Sequence, residues 1–287
     1  MHRAIAVSLA TLVACSSAAF ADDETPPVVG GKTYVQHQIL AAKLRHPEIA
    51  EITVVGKGPD DKVPVVLGST ASAKDVFKPA AEPADGSAVA GTYFVVREPF
   101  LSSTNHRIGT IEIKFRNRTG GQARFTKVAG ELQATMARAT LSAKNAADPY
   151  PFDPKFGPNS YAQELTERTV EAHPDLLVMM IHATPPGGKY NVIIGSNIGR
   201  FGKRADDDDL RVIDKGSTNL EVGGDNDRFE TELPLLDRSG KRIGALGLVF
   251  GLKPNTDKEA LHKHGLAIRD EVARAIPDNA ALFRPTR

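Results

Sequence analysis

The chain is poor in cysteine, in tryptophan, in long apolar runs and in any excess of charge. A single cysteine, Cys15, in 287 residues rules out a disulfide framework and a multi-thiolate metal cluster. Lys and Arg number 36 against 35 Asp and Glu. That balance carries neither the basic footprint of a nucleic-acid binder nor a polybasic membrane patch. No segment reaches the length of about 20 apolar residues that a spanning helix needs. What remains is a soluble, neutral chain long enough for two domains of ordinary size.

The N-terminus sets an expected compartment. Met1-His2-Arg3 is a short basic start, Ala4–Ala14 is an uncharged apolar run, and Ala19-Phe20-Ala21 places small residues where a signal peptidase cuts. Residues 1–21 therefore read as a secretory signal peptide cleaved after Ala21, which sends the mature chain to the periplasm. The stretch Leu12-Val13-Ala14-Cys15 leaves a second reading open, in which Cys15 is lipidated and anchors the protein.

An internal duplication organises the rest. At an offset of 127, Tyr34 and Gln36 meet Tyr161 and Gln163, His46-Pro47 meets His173-Pro174, and Gly68-Ser69 meets Gly195-Ser196. At an offset of 135, Pro99 meets Pro234, Arg107-Ile108-Gly109 meets Arg242-Ile243-Gly244, and Phe115 meets Phe250. Each copy reads as a helix ended by His-Pro, two strands, a long connection, an antiparallel hairpin and a closing helix. The helix periodicity covers 33–45 (Val35, Ile39, Ala42), and the closing helices cover 126–145 and 256–276. Strands are expected over Ile49–Val55, Val63–Leu67, Tyr93–Leu101 and Gly109–Phe115, and over Leu176–Ala183, Tyr190–Ile194, Phe229–Leu236 and Gly244–Phe250. The connections 70–91 and 197–226 read as loops, with Asp206–Asp209 a solvated acidic run. In the last strand Thr110, Glu112 and Lys114 look solvated, with Glu112 and Lys114 a cross-strand charge pair. Their counterparts Ala245, Gly247 and Val249 form a small apolar face that a helix must cover or a cavity must border.

That succession describes a PAS-like unit. The His-Pro-acid step from helix to strand, the Gly-Ser at the second strand's end and the glycine-containing turn before Arg-Ile-Gly resemble the extracytoplasmic Cache sensor family. The resemblance covers 33–145 and 159–276. It implies an α+β fold of two tandem PAS-like, Cache-like modules, each an antiparallel sheet with flanking N- and C-terminal helices. Residues 146–158 form a Pro-rich linker and 277–287 a C-terminal tail. The resemblance also implies that a small molecule binds between sheet and covering loops. The chain departs from the family in having no membrane span or cytoplasmic output domain, and no Trp for the pattern of the amino-acid-binding members.

Catalytic signatures are missing. There is no His-Glu-x-x-His, Gly-x-Ser-x-Gly, Walker or dinucleotide motif. Gly195-Ser196 reads as a strand-end turn. His262 and His264 are two apart on a helix and face different ways. No catalytic residue, metal ligand or cofactor is expected, and an enzyme would have to draw on Ser196 or His182. Asn117-Arg118-Thr119 is a glycosylation sequon read as idle, and Asp225-Asn226-Asp227 reads as a turn. The expected pocket lies in the second module, where His182, Tyr190, Arg200, Lys203 and Arg204 could hold a small anion or carboxylate, since guanidinium groups suit carboxylates. The alternative is a surface basic cluster answering Asp206–Asp209. Tyr93, Arg97 and Arg107 are the analogous residues of the first module. The leading expectation is a non-enzymatic binding or sensing protein. An envelope adaptor docking on a membrane receptor or transporter through a sheet face is the alternative.

Overall fold

A computed structural model describes residues 33–58, 62–72, 84–116, 121–223 and 226–286. The signal-peptide features, Ala21 and Cys15 among them, lie outside these residues, as do Asn117-Arg118-Thr119 and Asp225. The first module runs α1 (Tyr34–Arg45), β1 (Ile49–Gly56), β2 (Val65–Ser69), β3 (Gly86–Ala90), β4 (Tyr93–Leu101), β5 (Arg107–Arg116), α2 (Gln122–Arg138) and α3 (Ala143–Ala147). The second runs α4 (Tyr161–Ala172), β6 (Leu176–Ala183), β7 (Val192–Ser196), α5 (Asp207–Lys215), β8 (Asn219–Val222), β9 (Arg228–Leu236), β10 (Arg242–Gly251) and α6 (Lys258–Ala275), then a short 3-10 turn, Asn279–Phe283.

The fold is α+β, with two tandem PAS-like modules. The sheets are antiparallel with strand orders β2-β1-β5-β4-β3 and β7-β6-β10-β9-β8, the same order in repeat numbering. Each first helix is capped alike. The Thr33 side chain accepts the backbone N–H of Gln36, and that of Ser160 accepts the N–H of Gln163. His46 and His173 close the two helices, and their carbonyls accept the N–H of Ile49 and Leu176, the first residues of β1 and β6.

The repeated glutamines and glycines have a common cause. The Gln36 amide exchanges two hydrogen bonds with the Ser69 backbone, at 2.8 and 2.9 Å. Gln163 accepts the N–H of Ser196 at 2.8 Å. The helix thus lies directly on the strand end. A Cβ on Gly195 would stand 2.5 Å from Thr166 Oγ1 and 2.7 Å from the Ala162 carbonyl. Gly109 and Gly244 are likewise pressed against the carbonyls of Val55 and His182 on the neighbouring strands. On the inner sheet faces Ile39, Ile52, Ile113, Phe115 and Leu132 make one core, and Leu165, Met179, Leu248, Phe250 and Ile268 make the other.

Several expectations are corrected. The expected 126–145 helix is two helices, α2 and α3, and Ser142 caps the second. The connections are not bare loops, because they contain β3, α5 and β8. Asp206–Asp209 is the cap and first turn of α5 rather than a loop; Asp206 and Asp207 are solvated as expected, whereas Asp209 is buried. Asp206 and Asp209 form a reciprocal capping box, and acidic residues there meet the positive end of the helix dipole. Thr110 is buried and accepts from Arg107, whereas Lys114 pairs with Glu51 and Glu112 with Arg97 rather than with each other. The expected tail packs into the second core through Leu282.

The two strand-end glycines generate a test. Gly195→Ala should cost about 1–3 kcal/mol, since it overpacks against helix backbone. Gly68→Ala should cost less, because its nearest neighbours are the Gln36 and Ile39 side-chain tips at 3.2 and 3.3 Å. Urea unfolding of both variants measures the difference, and equal losses would contradict this packing.

Candidate functional site

The outer face of the second sheet is where the two modules part company. Register places His182 opposite Ala245, Gly247 between Met180 and Glu232, and Val249 between Val178 and Glu230. Ala245, Gly247 and Val249 are all buried, as the sequence required. The cover comes from α5, which sends Asp209 and Val212 inward, and from the segment after β7, which contributes Ile198. Lacking a side chain, Gly247 leaves room for Glu230 and Met180, whose nearest atoms are 3.7 and 3.3 Å from where its Cβ would be.

Three polar side chains meet under this cover. His182 is 3% exposed, and its Nδ1 stands 3.5 Å from Asp209 Oδ2. The Glu232 carboxyl hydrogen-bonds to that of Asp209, and both residues are buried. Donor atoms of all three lie within 4.8 Å of one another, a nitrogen-and-oxygen set that suits a divalent cation. Burial holds the His182 imidazole below its ordinary value, with the Asp209 charge opposing. Burial and the bond to Asp209 hold Glu232 well above the carboxylate range, which makes it the proton donor of the pair. Burial works against ionising Asp209, yet His182 and the bond from Glu232 keep it below its ordinary value. Burial first, and then the Glu221 charge, push Glu230 up to about 7.

The basic residues named from the sequence do not converge on this cluster. Arg200 reaches across to Asp148 at 3.0 Å, where the aspartate is buried. Lys203 stands 3.8 Å from Asp206, and Arg204 stacks over the exposed Tyr190 ring at 4.0 Å. Of the five expected ligand residues, only His182 lies in the buried polar cluster. In the first module Arg97 is bonded to Glu112, and Arg107 to Asp85 and Thr110. Tyr93 is at the other end of β4, opposite Arg116, so these three are not brought together either. Ser196 Oγ accepts backbone N–H groups of Ile198 and Arg200, the turn role expected of it.

A cleft of about 440 Å³ lies between the modules. Its walls include Tyr34, His37 and Arg45 of α1, Met136 of α2, Tyr150 and Glu167. Tyr150 stacks on His37 with centroids 3.9 Å apart and meets Phe201 edge-on at 6.1 Å. Burial raises the pKa of the Tyr150 phenol and, more strongly, that of Tyr34. The junction is tied beside the cleft. Asn145 Nδ2 donates to the Ile198 carbonyl, and the Phe152 N–H donates to that of Phe201. Gly199, at φ +75°, lies against the Tyr34 ring, where any side chain would collide. Within-copy periodicity gave no sign of a site between copies. The one available hint was Tyr150, an aromatic in the linker.

No family model matches the chain, and no curated protein matches it. Among solved structures, two that are similar to part of it illustrate the likeness. One is a putative GAF sensor protein from Burkholderia vietnamiensis, 14% identical over 39% of this chain and 71% of that one, with a TM-score of 0.28. The other is a targeted domain of a putative transcriptional regulator of the IclR family, 11% identical over 43% of this chain and 97% of that one, with a TM-score of 0.27. The Cache resemblance therefore stands on the residues alone.

Two outcomes follow from this geometry. Arg200→Ala leaves the buried Asp148 carboxylate with the Asn145 amide but no cation and should destabilise the chain by roughly 3 kcal/mol. An unchanged unfolding curve would mean that Arg200 is not structural. The second concerns pH in EDTA-treated protein. A glutamate raised above its ordinary 4.5 binds more protons folded than unfolded, so its contribution is present below pH 4.5 and lost as pH rises. Glu230→Gln should remove a loss that develops between pH 4.5 and 7, and Glu232→Gln one that continues above 7. Both variants should match the parent near pH 4.5 and unfold a few degrees higher at pH 8. Thermal curves that stay parallel to the parent at all pH values would contradict the assigned protonation.

Proposed function

We propose that this is an exported, non-enzymatic protein that binds a small carboxylate or other small anion in the cleft between its two modules. The single observation that carries the reading is that cleft. It has the volume of a small-molecule site, and its walls join aromatic rings to a few polar groups. The exposed guanidinium of Arg45 supplies the charge for a carboxylate, and the Tyr150–His37 stack offers an apolar plane for the rest of the ligand. This moves the pocket from the interior of the second module, where the sequence reading put it, to that module's border. Export is supported by the basic start, the apolar run and the Ala19–Ala21 cleavage pattern. A binding rather than catalytic role is supported by Ser196, whose hydroxyl is engaged by its own turn. A site formed by both modules also offers a way to sense, because occupancy would bias how they sit against each other.

Thermal-shift titration of the full exported chain with mono-, di- and tricarboxylates tests the reading. A true ligand at a hundred times its Kd stabilises by about 2.7 kcal/mol. That shift should be saturable and lost in Arg45→Ala and Tyr150→Ala. No shift at millimolar concentrations, or one indifferent to both substitutions, would contradict the proposal.

A further inference from the structure

We propose that His182, Asp209 and Glu232 form a site for a divalent transition-metal ion, enclosed beneath α5 on the outer face of the second sheet. The site is separate from the cleft, since none of the three residues lines it.

Geometry comes first. Three points no more than 4.8 Å apart share a centre within about 2.8 Å of each. Small rotamer adjustments close that to the roughly 2.0–2.2 Å of zinc bonded to nitrogen or oxygen. The second observation is independent of the acidic pair. His182 Nδ1 is buried and has no hydrogen-bond partner among the described residues. At 3.5 Å from Asp209 it is too distant to donate a sound hydrogen bond. If instead it carries a lone pair, that lone pair faces another acceptor. Buried polar atoms are seldom left in this position. A cation among the three groups satisfies the nitrogen and both carboxyls together.

The surroundings favour the same reading. Each ligand is fixed by its own element: His182 by the interior strand β6, Glu232 by β9 between β8 and β10, and Asp209 by the capping box of α5. The nearby cations Arg200 and Lys203 are paired with Asp148 and Asp206, so neither occupies the place of a metal. One imidazole and two carboxylates suit zinc or another first-row ion better than calcium or magnesium, which prefer all-oxygen shells. Three protein ligands leave a coordination position for water or a further group. The site belongs to one module only, since Val55 and Arg97 stand at the repeat positions of His182 and Glu232.

The test is zinc binding to the EDTA-stripped full chain, read by equilibrium dialysis with metal analysis, alongside cobalt(II) absorption as a direct report on coordination. One ion per chain is expected, with cobalt d–d bands of a low-coordinate nitrogen–oxygen site. Removing a direct ligand should weaken binding by more than the roughly 10–100-fold typical of an outer partner. Because replacing a buried histidine can unfold a module, Glu232→Gln, which keeps shape and neutrality, is the deciding variant. His182→Gln is read only if its circular dichroism matches the parent. Glu271→Gln, at the surface pair with His173 3.1 Å away, should leave binding unchanged. The proposal is overturned if no zinc is retained at micromolar concentrations. It is equally overturned if Glu232→Gln binds as the parent does, or if Glu271→Gln is the variant that loses the ion.

Discussion

Each module hangs on the contact between its first helix and the end of its second strand. A glutamine two residues into the helix hydrogen-bonds the backbone of a Gly-Ser pair, and the glycine lets the helix settle onto that backbone. This seat fixes the helix on the inner sheet face and puts Ile39 or Leu165 into the core. It also explains which identities the two copies share. Tyr-x-Gln, His-Pro, Gly-Ser and Arg-Ile-Gly are positions of caps, close approaches and strand pairing, where backbone geometry leaves little choice.

On the same frame the outer faces have become opposites. In the first sheet Glu112 and Lys114 reach Arg97 and Glu51 on neighbouring strands, and this charged ladder faces outward half-buried. In the second sheet Gly247 and Val249 stand at those positions, and Ala245 replaces Thr110. With no charges to solvate on the central strand, a helix can dock there, and α5 does. The cost is that Glu232, whose repeat equivalent is the ion-paired Arg97, is carried under cover with His182 and Asp209. Buried titratable groups gathered this way are a recurrent mark of functional sites.

How much was legible follows from the range of the interactions. Val35, Ile39 and Ala42 announced α1 through local periodicity, and the hairpins were readable from alternation around Asp237-Arg238-Ser239-Gly240. The need to cover Ala245, Gly247 and Val249 was also readable, because small apolar residues on a strand face must be buried. What covered them was not. Asp206–Asp209 looks solvated in composition, and only the reciprocal bonds of Asp206 and Asp209 turn it into a helix start. Arg200 looked like a ligand-binding arginine because its partner, Asp148, belongs to the connection between modules. His182, Asp209 and Glu232 come from three elements, so no motif spacing could have joined them.

The junction is therefore where local and long-range information meet. Tyr150, His37 and Arg45 each look ordinary in sequence, and they line one cleft only because the turn after β7 is held against the first module through Asn145 and Asp148. The most direct measurement of this account is a crystal structure of the full chain, purified with no ligand added. The account predicts two superposable five-stranded sheets and electron density from a retained small molecule between Arg45 and Tyr150. Sheets that do not superpose, or a junction closed by the protein's own side chains, would contradict it.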